Sequence, residues 1–362
     1  PMLPFLLRRV GVMILTALTL SFVVFSLTNL APNLEKLART EGSVRMTDEA
    51  VLSWIENNGH GGLMVTRYGQ WLGVVPGWVR TDARDVTRGR CIKDGLTPET
   101  APRFCGILQG DWGTSTVFRE PVAKTISDKL GATGWLMLWV MLVMVPVSLI
   151  IGVLSGMREG SQTDRVLSTF AIATTATPEY VSGVIFVVIF ASATTGISPM
   201  LAEWGWIDRR TLFFGTATSA IDKITFWNFA LPVMTIALYG IGYIARMTRA
   251  SMTEVMTQQY IRTARLKGIA FRQVILKHAL RNALIAPFTV IMLQFPWLLN
   301  GVVIVETLFN YKGFGWTLVQ AAGNNDIQLL LACSVVAVFV VLVTQLISDV
   351  GYVFLNPRIR LS

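Results

Sequence analysis

Apolar residues fall in long, nearly unbroken blocks along this chain, separated by polar segments. A helix needs about 20 mainly apolar residues to cross a membrane, because the hydrocarbon layer is about 30 Å thick. Six blocks reach that length. The predicted spans are about Val10–Leu30, Trp135–Met157, Val166–Ala193, Phe226–Ile244, Leu284–Val305 and Leu329–Phe354. The pattern therefore predicts an all-α polytopic membrane protein with six transmembrane helices.

Two of the blocks have unusual features. Pro178 lies inside the third block and predicts a kink or tilt there, because proline interrupts the helical hydrogen bonds. The first block follows Arg8 and Arg9, which is also the arrangement of a signal peptide. Its apolar run is longer than a signal peptide needs, and no small-x-small cleavage site is clear. We therefore expect an uncleaved first helix, with a signal peptide as the alternative.

Composition agrees with the membrane assignment. Apolar residues make up 52% of the 362 residues, charged residues only 15%, and the mean hydropathy is +0.54. Soluble domains carry about 25% charged residues, so a soluble enzyme is excluded, and a disordered chain would be far less apolar. The net charge of +9 would suit a nucleic-acid partner, but its placement gives a simpler explanation.

The positive charge is concentrated in connections that six spans place on one side. Residues 246–281 hold eight basic residues against the single acid Glu254. Basic residues also precede the first span, flank the second connection and follow the last span; they are Arg8, Arg9, Arg158, Arg165, Arg358 and Arg360. Lys and Arg accumulate in cytoplasmic loops, so we expect this side and both termini to be cytoplasmic. No nucleic-acid partner is needed.

The longest polar segment, residues 31–133, separates the first two spans. It carries 13 basic and 12 acidic residues and is rich in turns, tryptophan and glycine. We predict a small extracytoplasmic domain with short helices. The predicted divisions are thus 1–30 for the N-terminus and first helix, 31–133 for this insertion, and 134–362 for a five-helix core with a cytoplasmic loop at 246–283.

Three cysteines and two histidines are too few for a metal or disulfide framework. Cys91 and Cys105 both lie in the insertion, on the oxidising side, where a disulfide would close a short loop and contribute about 3 kcal/mol. We favour the bond; two unpaired small residues are the alternative. His60 and His278 are isolated, so no metal site is assigned.

The cytoplasmic loop contains two short helical patterns separated by Gly268. Glycine there suits the left-handed residue that ends a helix, and Lys267 suits the negative end of the helix dipole. In the second pattern, apolar positions recur on one face. They are Phe271, Val274, Ile275, His278 and Ala279. A short helix of this kind can lie on a membrane surface or dock in a partner's groove.

This segment resembles the coupling loop of ABC importer permeases, in the variant typical of the oligopeptide/dipeptide/nickel permease family. The resemblance is carried by Tyr260-Ile-Arg-Thr-Ala-Arg-Leu-Lys-Gly268 and His278-Ala-Leu-Arg-Asn-Ala283. Gly268 and Ala264 match the glycine and second alanine of the general E-A-A motif, whereas Arg262 and Thr263 replace its Glu and first Ala. Shorter stretches agree with the same family. They are Leu6–Arg9, Asn29–Pro32, Thr177–Tyr180, Val305–Gly315 and Asn356–Arg358.

The resemblance implies that this loop docks on a separate ATPase. Tyr260, Ala264 and Gly268 would face the ATPase, while Arg262, Arg265 and Lys267 would meet its surface charges, with Thr263 between them. A basic loop that only attracts anionic lipid is the plainer alternative. The chain has no G-x-x-x-x-G-K-[ST] motif, so we expect no cofactor and no catalysis on this chain, with ATP and magnesium bound by the partner subunits.

Two further places are candidate sites. Glu179 is the only acid well inside a predicted span, and such residues usually face a cavity or a partner. It lines the translocation path or bonds to a neighbouring helix or to backbone freed by Pro178. Glu306, Gly313 and Gly315 follow the fifth span. By the resemblance they form a re-entrant loop near the outer gate; a tight outer turn is the alternative.

The resemblance implies a permease subunit of a binding-protein-dependent importer in the bacterial inner membrane. Its expected partners are a second homologous permease, two ABC ATPase subunits, a periplasmic solute-binding protein and the lipid bilayer. The expected cargo is a peptide or peptide-like solute, with nickel chelates or glycosides as alternatives in the same architecture. From the residues alone, one rival is a secondary transporter driven by an ion gradient, although that class usually shows internal repeats and several membrane acids. The other is an intramembrane enzyme or a structural scaffold, and no paired catalytic residues support an enzyme.

Overall fold

The computed structural model describes residues 2–82, 85–93 and 95–355, and it is dominated by helices. The predicted motif at Asn356–Arg358 lies outside the described residues, as does Arg360. The helices are α1 (Met2–Thr28), α2 (Ala31–Glu41), α3 (Asp48–Asn57), α4 (Met64–Leu72), α5 (Val122–Gly156), α6 (Gln162–Ala176), α7 (Glu179–Phe186), α8 (Ile197–Glu203), α9 (Phe226–Met256), α10 (Gln259–Leu266), α11 (Phe271–Gln273), α12 (Leu280–Ala283), α13 (Ile285–Leu308), α14 (Phe314–Gly323) and α15 (Ile327–Leu355).

Short irregular helices and one small sheet complete the described chain. Strands β1 (Val79–Thr81) and β2 (Thr87–Gly89) form an antiparallel pair in which Arg80 lies opposite Arg88. Wider π-helical turns occupy Val187–Ala191 and Val274–Ala279, and 3-10 turns occupy Ile107–Gln109 and Thr218–Ile221.

The predicted spans correspond to helices in the structure. Among the described residues, five helices are long and apolar enough to cross a membrane, and the count is six if α6, α7 and the π turn that follows are taken together as one broken span. The break at Pro178 is a bend of 107°, which confirms the predicted interruption and is far sharper than a kink. Helices α5 and α9 extend beyond their predicted spans, because polar ends continue the helix without raising its hydropathy.

The chain divides into two compact units. One is built around residues 131–316, and the other from residues 6–130 and 317–340. The units thus follow a different division from the one predicted from hydropathy: the first span and the start of α15 belong with the predicted insertion. That insertion contains the expected short helices α2, α3 and α4 together with the β1–β2 pair.

Helix α9 is the centre of the first unit. In its most apolar stretch 72% is buried, compared with at most 28% in the other unbroken spans, and it packs against α6, α7 and α13. Glycines permit close approach. A Cβ on Gly156 of α5 would lie 2.7 Å from the Arg249 carbonyl oxygen, and one on Gly242 of α9 would lie 2.6 Å from that of Ala171. Small residues bring membrane helices together in this way.

Candidate functional site: the basic helical hairpin and its supports

Helix α10 and the segment 271–283 form a helical hairpin after α9; we call residues 257–283 the coupling segment. Gly268 lies at φ +74°, in the left-handed region, as predicted. The Gly268 N–H donates to the Arg265 carbonyl and the Ile269 N–H to the Ala264 carbonyl, at 3.0 and 3.3 Å. These two bonds form a Schellman motif, which ends α10 and reverses the chain.

One face of the hairpin packs on its own chain. Ile261 and Ala264 of α10 are buried in an apolar cluster with Val274, Ile275 and Ala279 of the returning segment. This confirms the apolar face predicted for 271–279. It also corrects one prediction: Ala264 is 5% exposed and faces its own chain, so it does not face a docking partner. The reason is the helical period, which places Ala264 three residues after Ile261 on the same face.

The opposite face is basic and open. Tyr260, Arg262, Thr263, Arg265, Lys267 and Gly268 are all exposed. Leu266, which the sequence reasoning did not single out, is 81% exposed at the end of α10. Only its place beside the helix-ending glycine could have indicated this from sequence.

Local bonds hold the exposed face in place. The Asn282 amide donates to the Tyr260 hydroxyl at 2.9 Å, and Ser251 of α9 donates to the Ala283 carbonyl at 2.8 Å. The guanidinium groups of Arg265 and Arg158 each lie 5.5 Å from the ring centre of Phe271. The hairpin is therefore connected both to α9 and to the turn after α5.

An ion pair between a buried carboxylate and a partly exposed guanidinium lies at the base of this arrangement. Asp164, 3% exposed in the first turn of α6, accepts two hydrogen bonds from Arg249 of α9, from Nε at 2.6 Å and Nη2 at 2.8 Å. Ser155, Ser168 and the Gly160 N–H also donate to its carboxylate, at 2.5, 3.0 and 2.8 Å. The pair thus joins the α5–α6 turn to the helix that leads into the coupling segment.

Sequence reasoning missed Asp164 and the role of Arg249, although one local signal existed. The Ser161 hydroxyl accepts from the Asp164 N–H at 3.1 Å, so Ser161-x-x-Asp164 is a helix-start pattern. That pattern locates the start of α6. It does not reveal the partner 85 residues away.

Glu179 lies at the 107° bend between α6 and α7, as the first residue of α7. Its side chain is half-buried, and a Cβ on Gly301 of α13 would lie 3.4 Å from its Oε1. Among the described residues, the Glu179 side chain has neither a hydrogen bond nor an ion pair. The alternative in which it bonds to a neighbouring helix or to backbone freed by Pro178 thus finds no contact in the structure.

Glu306 is fully buried at the end of α13. It accepts hydrogen bonds from the Thr133 hydroxyl and from the Trp316 N–H, the latter at 3.0 Å. Gly313 lies so close that a Cβ would overlap Glu306 and Thr133, and a Cβ on Gly315 would lie 2.7 Å from the Val303 Cα. The three predicted residues therefore do come together, as a tightly packed turn in which the carboxylate is enclosed.

The remaining candidates concern the insertion and metals. Cys91 and Cys105 are joined by a disulfide, with Cα atoms 5.6 Å apart, and Cys333 is a free, buried thiol. Among residues 2–82, 85–93 and 95–355, no group of three or more His, Cys, Asp or Glu side chains is arranged to hold a metal ion.

Known proteins match this chain over most of its length. The family described as "Binding-protein-dependent transport system inner membrane component" matches residues 148–361, more than half of the chain. A probable peptide ABC transporter permease, y4tP, of Sinorhizobium fredii is 32% identical over 262 residues, which is 70% of this chain and 77% of the relative.

Two further comparisons extend this picture. The glutathione transport system permease protein GsiC of Escherichia coli K12 is 31% identical over 253 residues, 70% of this chain and 76% of that protein. A solved structure described as an amino acid ABC transporter with histidines aligns with a TM-score of 0.46 and 14% identity, covering 64% of this chain and 94% of that chain.

The family match and the relatives identify the class of protein. The chain belongs to the family of binding-protein-dependent transport system inner membrane components. It is a multi-pass membrane protein and the permease of a binding-protein-dependent ABC transporter, as the resemblance predicted.

Proposed function

We propose that this permease pairs with a second, homologous permease, and that the two form a path for peptides or peptide-like solutes. The observation that carries the proposal is the exposed basic face of the coupling segment, turned at Gly268 and supported by the Asp164–Arg249 pair. Two separate ATPase subunits, which bind ATP and magnesium, dock on this face and on its counterpart. This chain itself contributes no catalytic residue.

In this proposal the coupling segment lies in the cytoplasm with both termini. The insertion at 31–133 lies in the periplasm of a bacterial inner membrane, where a solute-binding protein delivers cargo. The basic connections support this orientation by the positive-inside rule. Peptide cargo is proposed because the relatives include permeases named for peptide and glutathione transport.

The energy transfer we propose is mechanical. ATP binding draws the ATPases together and favours one of two membrane arrangements, and hydrolysis releases it. The exposed Leu266 contacts an apolar recess on the ATPase, and Arg262, Arg265 and Lys267 surround it. Because Ala264 is buried within the chain, it acts by holding the hairpin's shape.

Site-directed crosslinking tests the docking surface. A cysteine at Leu266, in a Cys333→Ser background within the whole transporter, should crosslink to an ATPase subunit, with a yield that changes when ATP is added. A cysteine at Val166, which is 65% exposed, is the matched control and should not react with that subunit. Equal yields at both positions, or none at Leu266, would contradict the docking proposal.

We further propose that Glu179 lines the translocation path and meets the positive amino terminus of cargo. Its half-buried, unpaired carboxylate beside Gly301 supports this role. Glu179→Gln keeps the shape and removes the charge. Uptake should fall for peptides with a free amino terminus and change little for acetylated ones, while exposed Glu203→Gln affects neither. Equal loss for both peptides would indicate a structural role.

The Glu306 turn supports the outer gate in this proposal without touching cargo, since its carboxylate is enclosed. Gly313→Ala should impair uptake by displacing the turn, because no space exists for the added methyl. Measuring ATPase activity in the same vesicles separates the two ends of the molecule. Activity that persists while uptake fails would place the defect at the gate.

A further inference from the structure

The second compact unit contains a cavity of about 300 Å³ that the transport proposal does not use. It lies among the end of α1, α4, the β1–β2 region and the start of α15. The residues that matter are Asn29, Arg67, Trp71, Trp78, Arg90 and Gln328. All of them belong to residues 6–130 and 317–340, within one unit.

Two guanidinium groups line this cavity without an acidic partner. Arg67 is only 9% exposed; it donates to the neutral Asn29 side chain and lies 5.9 Å from the ring centre of Phe25. Arg90 donates through Nε to the Cys105 carbonyl at 3.1 Å. Among the described residues, no carboxylate lies within ion-pair distance of either group. Buried charges are normally paired, so this arrangement is unusual.

The acid that does line the cavity is already engaged. Asp111 forms an ion pair with Lys93 at 3.0 Å and accepts the Gly113 N–H at 3.3 Å. Its charge also raises the pKa of Arg90 from beyond ion-pair distance, so Arg90 is partly compensated, whereas burial is the one cause acting on the pKa of Arg67 among the described residues. Burial lowers the pKa of both guanidinium groups from their ordinary value, as expected for charges removed from water.

The neutral polar groups and the walls add to the same picture. Gln328 has a buried side-chain oxygen without a hydrogen-bond partner in the described chain. Because the amide can turn, its NH₂ group can instead face an acceptor in the cavity. Trp71, which is 3% exposed, and Trp78 supply flat apolar walls.

The cavity wall is held in place covalently. Arg90 directly precedes Cys91, and its Nε–H bonds to the carbonyl of Cys105, so the disulfide fixes both the residue and its acceptor. Gly59 lies at φ +77°, and a Cβ there would overlap Trp78. The positions of a charge and of an aromatic wall are therefore both set by local constraints, as expected for a preformed site.

We propose that this cavity binds a small organic anion, with its carboxylate between Arg67 and Arg90 and its apolar body against Trp71 and Trp78. The planar fork of arginine matches a carboxylate in two parallel hydrogen bonds. The volume lies at the lower end of small-molecule sites, about 300 to 1,000 Å³, so the ligand is small. This site goes beyond the proposed transport function and does not require ATP.

Calorimetry on the whole transporter in neutral nanodiscs, without nucleotide, tests the proposal with benzoate as the probe. Benzamide is the control, because it has nearly the same shape and no charge. Benzoate should bind at least about tenfold more tightly than benzamide, a difference of about 1.4 kcal/mol. Equal binding of the two, or no benzoate binding, would overturn the proposal. Inorganic phosphate should compete weakly; competition as strong as that of benzoate itself would contradict a carboxylate site.

Variants locate the binding. Arg90→Gln and Arg67→Gln should each weaken benzoate binding at least about tenfold, since each removes one charged partner. Arg88→Gln, on the exposed side of β2, is the matched control and should bind as the parent does. If Arg67→Gln fails to fold, Arg90→Gln alone decides the outcome. Unchanged binding in Arg90→Gln would overturn the assignment even if transport is normal.

Discussion

Two arginines in this molecule, one partly buried and one almost fully buried, have opposite surroundings. Arg249 in the first unit meets Asp164 in a two-bond ion pair that is further bonded by two serines and a backbone N–H. Arg67 in the second unit is more buried but has only the neutral side chain of Asn29 as an acceptor. The guanidinium of Arg249 is therefore paired with a carboxylate of its own fold, whereas that of Arg67 faces a cavity without such a partner.

The difference teaches how to read a buried charge. A paired and fully bonded charge fixes neighbouring elements, and removing one partner leaves the other uncompensated at a cost of several kcal/mol. An unpaired buried charge lowers the stability of the protein while its site is empty. An anion that binds there would explain why the charge is present. We therefore infer that Arg249 supports the coupling segment and that Arg67 belongs to a binding site.

The largest expected effect comes from breaking the Asp164–Arg249 ion pair. Asp164→Asn should lower the free energy of unfolding by about 2 kcal/mol, because Arg249 then loses its charged partner, while water reaches its partly exposed side chain and offsets part of that loss. Uptake should fall with it. Chemical denaturation followed by fluorescence measures the first, and vesicle uptake the second. Asp222→Asn, at an exposed acid, is the control. A variant as stable as the parent would show that the pair does not support the fold.

Gly268→Ala should have the next largest effect. A side chain at φ +74° costs about 1–2 kcal/mol, although space for a methyl exists. Coupling between ATP hydrolysis and uptake should weaken. Gly131→Ala is the matched control, since it also has open space but lies inside a helix, where alanine is favoured. Equal effects of the two would remove the backbone explanation.

The stability of the region around the Arg67 cavity should depend on pH. Burial first, and then the charges of Arg67 and Arg90, lower the pKa of His60 to about 4 from 6.5. The unfolded chain therefore binds a proton more readily, and stability is lost as the pH falls below 6.5 toward about 4. Hydrogen exchange of the 48–72 region should show about 1 kcal/mol lost by about pH 5.5.

The comparison variant for this experiment is His60→Gln, which cannot take up a proton in this range. Its exchange profile should be flat where that of the parent chain rises. An identical acid response in both proteins would assign the instability to another group.

The smallest expected effect tests directly whether Arg67 and Arg249 differ in their contribution to stability. Arg67→Gln should change the free energy of unfolding by less than about 1 kcal/mol without ligand, because the lost hydrogen bond is offset by relief of an uncompensated charge. Denaturation in the same conditions as for Asp164→Asn measures this. If the free energy of unfolding falls as much as in Asp164→Asn, Arg67 supports the fold to the same extent as Arg249 does.

Most of the membrane architecture was predictable because its signals are local. The length of an apolar block sets a span, Pro178 interrupts a helix wherever it stands, and Gly268 marks a left-handed turn. The apolar face of 271–279 was visible as a period in the sequence. The same periodicity, applied to Ile261 and Ala264, would have placed Ala264 on the inner face.

What the tertiary structure decided are the pairings between distant residues. Asp164 meets Arg249 across 85 positions, and Glu306 meets Thr133 across 173. The cavity combines the end of α1, the insertion and the start of α15. Hydropathy and helical period depend on residues a few positions apart, so they determine elements and faces. Which charge is compensated depends on how those elements pack, and only the folded chain determines that.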